Sequence, residues 1–383
     1  MAGALSRNDL GLNFVRELHK LAAVPYQATS WELRGFSWWV GDFRQRIWAE
    51  PAVDEEDGPV FKVCAATDFI NDLDPGDTRL IDRVAKLSQS ASTSSLVFDP
   101  VDRTLRHWTT ITLYEDIGSW VFPLMIGSAY SQLAAVNSNC GDARQFFGGK
   151  PDQNSRPLRG PDSCRHARVE SWGADCAEEG RNCSAWAGTG EFAEAVELLQ
   201  RGDMIVRQDG EGLIAGFPFS HEQDTAHGSE SDLPADSTAV FEMSTETPHS
   251  VHGNGLSTRL YLPLALPEEL ACHLCTVLNL LETREFTGSC LVGSWCREDG
   301  GLAFSGFIPN ILYHPGMVPN LALAARTRTA WVAAKLGEGD RLEATSNLVT
   351  SVLDGFLQPA RAAEMVEAAK PRKPGLLRRL FRN

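Results

Sequence analysis

The sequence predicts an α+β protein: two tandem antiparallel-sheet units, each flanked by helices, with a C-terminal helical tail. A repeated segment is the first reason. Ser94 to Tyr114 reads SSLVFDPVDRTLRHWTTITLY, and Gly288 to Tyr313 reads GSCLVGSWCREDGGLAFSGFIPNILY. Each is an apolar run, a polar turn, a second apolar run and a Leu-Tyr pair, and the two pairs stand 199 positions apart. The second reason is that segments of helical and of alternating periodicity follow the same order around both copies. Two like units fused in one chain adopt the geometry that a homodimer of one unit would form.

The first unit, residues 1–136, opens with an amphipathic helix from Asp9 to Ala22, stopped by Pro25. Its apolar residues Leu10, Phe14, Leu18 and Leu21 recur at helical spacing. Trp31 to Trp48 is rich in aromatic and β-branched residues and reads as two strands, interrupted at Gly35 and Gly41. VFKVCAATDF gives a third strand, Thr78 to Ser88 a helix, and Leu96 to Tyr114 the hairpin. A helix to about Val136 closes the unit. Residues 137–190 carry Gly, Pro, Ser, Asn, Asp and Arg in quantity and read as a linker or insertion.

The second unit, 191–336, repeats the order. A helix carries Phe192, Val196 and Leu199, and strands follow at Met204–Arg207, Gly212–Phe219, Thr238–Ser244 and Ser257–Pro263. The helix Glu268 to Leu281 starts after Pro267 with two acids in its first turn, which suits the positive end of a helix dipole. The Leu291 to Tyr313 hairpin and a helix from Gly316 to Leu336 complete the unit. The extension 337–383 holds a helical piece, roughly Gly339 to Val366, and the tail KPRKPGLLRRLFRN.

Charge bounds the function. The chain of 383 residues carries a formal charge of −15. Residues 370–383 contribute six basic side chains and no acid, leaving −21 on the rest, and such a body repels phosphate backbones. A nucleic-acid partner is not expected. No apolar run reaches the roughly eighteen residues of a membrane span, and Arg7, Asn8 and Asp9 interrupt any signal-peptide core, so a cytoplasmic protein is expected. Nine scattered cysteines do not form a disulfide framework. As a helix, GLLRRLFRN is basic and amphipathic, fit for weak contact with an anionic membrane or an acidic surface.

The order α-β-β-β-α-β-β-α, with its hairpin before the last helix, resembles the fold shared by type III secretion chaperones and YbjN-like proteins. Two copies in tandem resemble the actinobacterial proteins built from such TY-Chap-type domains. The resemblance rests on SSLVFDPVDRTLRHWTTITLY and its partner and covers about residues 9–136 and 191–336. It implies a non-enzymatic module that holds a polypeptide client on apolar sheet and helix surface, without a cofactor.

Candidate sites are few. The aromatic run Trp31, Phe36, Trp38, Trp39, Phe43 and Trp48 is the expected partner-binding surface. Trp38 and Trp39 must point to opposite faces of a sheet, so one is core and the other lies on the second face. An uncovered second face would be an apolar patch of the kind that marks a partner site; otherwise the other unit covers it. Cys164, His166, Cys176 and Cys183 are possible zinc ligands, but they lack the paired C-x2-C knuckle and read as incidental thiols of a loop. His221, His227, His249 and His252 lie in polar loops near acids, the basis of a rival reading as an enzyme with a site between the units. No phosphate-binding loop or nucleophile-elbow pattern is present.

Overall fold

The computed structural model describes residues 9–357, apart from 42, 56–57, 76, 116, 152–163, 203, 209, 220–236, 286–287, 299–300 and 338–339. The tail therefore lies outside the described residues. The fold is α+β with two antiparallel sheets.

In the first unit α1 (Leu10–Leu21) is capped by Asp9, whose carboxylate accepts from the Leu12 N–H. It buries Phe14, Val15 and Leu18, and it ends before Ala23, which takes a φ of 50°. Strands β1 (Thr29–Trp31), β2 (Gly35–Val40), β3 (Phe43–Ala49), β4 (Val53–Glu55) and the long β5 (Gly58–Asn71) follow. Gly41, at φ 59°, begins the tight turn from β2 to β3, a conformation that favours glycine. Then come α2 (Thr78–Leu87), β6 (Ser95–Asp99), β7 (Thr104–Leu113) and α3 (Val121–Phe147). The sheet order is β1-β2-β3-β5-β7-β6, with β4 and a short β8 (Lys150–Pro151) pairing with β5 off this path.

After α4 (Ala167–Glu179), the second unit runs α5 (Glu191–Arg201), β9 (Ile205–Gln208), β10 (Gly212–Pro218), β11 (Thr238–Ser244) and β12 (Gly255–Leu262). It continues with α6 (Glu268–Arg284), β13 (Ser294–Glu298), β14 (Gly301–Pro309) and α7 (Met317–Leu336), and α8 (Arg341–Leu357) comes last. Its sheet order, β9-β10-β11-β12-β14-β13, is the order of the first sheet strand for strand.

The stretch 137–190 corrects the reading of a linker. Helix α3 continues through Gly141 to Phe147 and ends at Gly148, which takes a φ of 77°, and α4 buries Val169, Trp172 and Cys176. Trp186, just beyond α4, is also fully buried. Only 152–163 falls outside the described residues.

The two units meet across an approximate twofold. Ser95 and Ser294 open the equivalent strands β6 and β13, and their hydroxyls lie 3.1 Å apart. On either side the contacts are reciprocal: the Thr110 N–H donates to the Leu291 carbonyl, and the Phe307 N–H to the Ser92 carbonyl, both at 3.3 Å. A residue touching its own counterpart, flanked by exchanged pairs, is the mark of an isologous interface. Helices α2 and α6 pack on each other there too.

Charged ties reinforce the seam. The Lys62 ammonium, 4% exposed, donates to the Thr283 carbonyl at 2.7 Å and the Glu285 carbonyl at 3.0 Å. It thus caps the C-terminal end of α6 from the other unit, where the helix dipole favours a cation. Arg284 reaches Asp99 at 2.5 Å. We expect Lys62→Met to destabilise the protein by about 2–3 kcal/mol, because it leaves two carbonyls without their charged donor. Denaturant unfolding checks this: an unchanged midpoint would contradict the tie.

Candidate partner-binding surface

Five of the six expected aromatics are not an open surface. Cross-strand register sets two rows on the helix-bearing face of the first sheet: Trp31–Phe36–Ile47–Ala65–Thr109, and Trp38–Gln45–Thr67–His107. Phe36, Trp38 and Phe43 belong to the core. Trp38 Nε1 donates to Gln45 Oε1 at 2.9 Å, and Gln45 Nε2 donates to Thr67 Oγ1 and to the Ala129 carbonyl of α3. These side chains serve the interior.

Trp39 points to the second face, as parity requires, yet it is only 2% exposed. At the edge beyond β1 the Cys164 N–H donates to its carbonyl at 3.0 Å, and Gly41 N–H donates to the Cys164 carbonyl at 3.1 Å. Trp48, on the same face, is half-buried: Trp108 meets it edge-on at 5.1 Å, and Arg46 lies over its ring at 4.9 Å. Lys62 and Thr110 on that face engage the second unit, so the alternative of cover by the other unit holds for part of it.

Trp31 alone of the six is exposed, at 39%, and it has unexpected company. Tyr26 is 74% exposed, Leu33 76% and Leu21 59%. The ring of His19 lies at the centre, 4.8 Å from Trp31, 5.7 Å from Tyr26 and 4.9 Å from the buried Phe36. His19 Nε2 is 3.1 Å from Thr29 Oγ1, and burial lowers its pKa, which favours the neutral ring against these aromatics. Two exposed aromatics joined through one ring, Tyr26 and Trp31, are the informative exception to ordinary burial.

The patch lies beside a strand paired on one side. Among the described residues β1 pairs with β2 alone. Glu32 N–H donates to the Gly35 carbonyl, and Ser30 stands opposite Ser37. By antiparallel alternation the peptide groups of Trp31 face away from β2. The edge and the patch therefore form one surface between the end of α1 and the rim of the sheet. Leu21 and Trp31 were legible as apolar residues, but Tyr26 and Leu33 sit in turns with no periodicity to flag them.

Among the described residues the second unit has no aromatic at the position that matches Trp31. Matching the sheets through the seam places Gln208–Leu213–Met243–Thr258–Gly306 on the row of Trp31–Phe36–Ile47–Ala65–Thr109. Gln208 takes the place of Trp31.

Among the described residues the other candidates do not converge on one site. Cys164 bonds through its backbone to β2, His166 Nε2 lies 3.0 Å from the Ala22 carbonyl, Cys176 is buried and Cys183 is exposed. Among the described residues no group of three His, Cys, Asp or Glu converges on a metal position. Burial pushes the thiols of Cys64 and Cys176 up to about 12, which removes them as nucleophiles. His221 and His227 lie outside the described residues. His249 and His252 do come together, ring to ring at 4.7 Å, but both pack against Phe307, and among the described residues no carboxylate acts on either ring. No helix among the described residues is long and apolar enough to cross a membrane. Comparisons of the chain with protein-family models, curated proteins and solved structures found no match.

Proposed function

We propose that this is a non-enzymatic, chaperone-like protein that holds a polypeptide client, with the client seated on Leu21, Tyr26, Trp31 and Leu33. The exposed aromatic patch beside the half-paired strand β1 carries the reading. Rigid aromatic side chains supply contact area at low entropic cost, and an edge strand supplies backbone groups that any extended polypeptide satisfies. The order of elements, which resembles that of type III secretion chaperones and YbjN-like proteins, agrees with such a role.

Suppression of aggregation tests it. An excess of the protein should keep a chemically unfolded model client from scattering light, and Tyr26→Ser with Trp31→Ser should abolish that protection. Both side chains are exposed, so the double variant should keep its melting behaviour, within about 1 kcal/mol. Equal protection by wild type and variant would remove the site, and no protection by either would remove the function.

A further inference from the structure

The approximate twofold places two equivalent junctions at the ends of the seam, and they are built differently. At one, Thr110 pairs with Leu291; at the other, Phe307 pairs with Ser92. Only the second carries histidines. The turn from His249 to Asn254 folds over Phe307 there, closed by reciprocal hydrogen bonds between His249 and Gly253 at 2.8 and 2.9 Å. His249 Nδ1 lies 3.2 Å from the Val251 N–H and 3.3 Å from the His252 N–H and accepts from both. The backbone of Ser90 in the first unit also acts on this ring. With Nδ1 accepting, the ring is held neutral, and the nitrogen left to donate is Nε2.

His252 stacks beneath it, 4.7 Å between centroids and 18° between planes. It is 8% exposed, and its Nδ1 is buried without a partner. Behind the pair, Gly253 at φ 70° abuts Gly180 so closely that a Cβ would come within 2.6 Å of the Gly180 carbonyl. Asn254 bonds the carbonyls of Gly180 and Asn182. The turn thus joins the second sheet to the end of α4 and lies over Phe307, whose backbone N–H and carbonyl bond Ser92 of the first unit.

We propose that the stacked His249–His252 pair is an acid-sensitive latch on this seam: protonation of the rings releases the turn from the first unit and uncovers Phe307. A proton on His249 Nδ1 displaces both backbone donors that the neutral ring accepts. A second proton places like charges on two rings in van der Waals contact with little water between them. Among the described residues only the Ser90 backbone favours a charged ring, that of His249, and burial outweighs it. His252 is opposed by burial and by the neighbouring His249, and Glu178, Glu179 and Arg181 at the end of α4 act on neither ring.

The sign follows. Burial lowers the pKa of both rings, that of His252 to about 4. The closed turn therefore binds fewer protons than the open one. Its stability is fully present above the ordinary histidine value of 6.5 and drains away as pH falls towards about 4.

Amide hydrogen exchange on the full chain tests the latch, with the other junction as an internal control. Corrected for intrinsic rates, exchange at the Phe307 amide should accelerate at least about tenfold between pH 6.5 and pH 4, while the Thr110 amide keeps its protection. Joint His249→Gln and His252→Phe substitution, which keeps a neutral acceptor at 249 and a ring at 252 without the charge, should hold Phe307 protected throughout. Loss of protection at both amides together, none at Phe307, or the same loss in the double variant would overturn the latch. Should that variant fail to fold, ring titration in the wild type decides: histidines that titrate while Phe307 stays protected would overturn it.

Discussion

Replacing Trp38 with Ala should cost the protein about 3–5 kcal/mol, without any effect that can be assigned to client binding. The indole is 0% exposed in the middle of the first core. Its removal leaves a cavity that α3 and the sheet cannot both move to fill. It also strands Gln45 Oε1, which is fully buried and accepts from the indole N–H. Gln45 in turn orients Thr67 and Gln132, so the loss spreads along a chain of bonds between sheet and helix. Thermal melting should fall by many degrees, and a variant that melts like the wild type would contradict the placement of Trp38 in the core. Trp31→Ala, on the same strand pair, should leave the melt nearly unchanged.

A comparable loss, about 3–5 kcal/mol, is expected when either partner of the Glu282–Arg328 pair is truncated to Ala. The side chains are 1% and 3% exposed and make two bonds, at 2.8 and 3.1 Å, joining α6 to α7. Trp295 Nε1 donates to Glu282 Oε1 at 2.7 Å, Arg328 donates to the Cys290 carbonyl, and the Phe304 ring lies 3.6 Å from the guanidinium. Removing one partner leaves the other as an uncompensated charge inside the second core. Replacing both, with Glu282→Met and Arg328→Met, should recover much of the loss, since apolar groups of similar length need no partner. Denaturant titration of the three variants checks this; a double variant weaker than either single one would contradict the account.

Much of the architecture was legible because it depends on local periodicity. The hairpins at Leu96–Tyr114 and Leu291–Tyr313, the α1 and α6 stripes and the alternation of Trp38 and Trp39 all follow from spacings of two and about four residues. What failed depends on what packs where. Parity correctly sent Trp39 to the second face, but whether that face is open depends on distant residues: the second unit engages it through Lys62, whose partners Thr283 and Glu285 lie more than two hundred positions away. Helix α4 was hidden by polar composition, although Val169, Trp172 and Cys176 share one helical face and were there to be counted. Glu282 and Arg328 look in sequence like two surface charges. Tyr26 and Leu33 gave no signal at all, because exposure in a turn has no period.

The seam between the units has one more consequence, for valency. Two separate subunits associate only above their dissociation constant, whereas halves on one chain meet at an effective concentration set by the tether and stay paired at any dilution. A symmetric pair would also present every surface twice. Here Trp31 faces its rim once, with Gln208 at the matching position, so on the proposed reading one molecule offers one seat. If the proposed seat holds a client, the expected stoichiometry is one to one, which a titration would read directly.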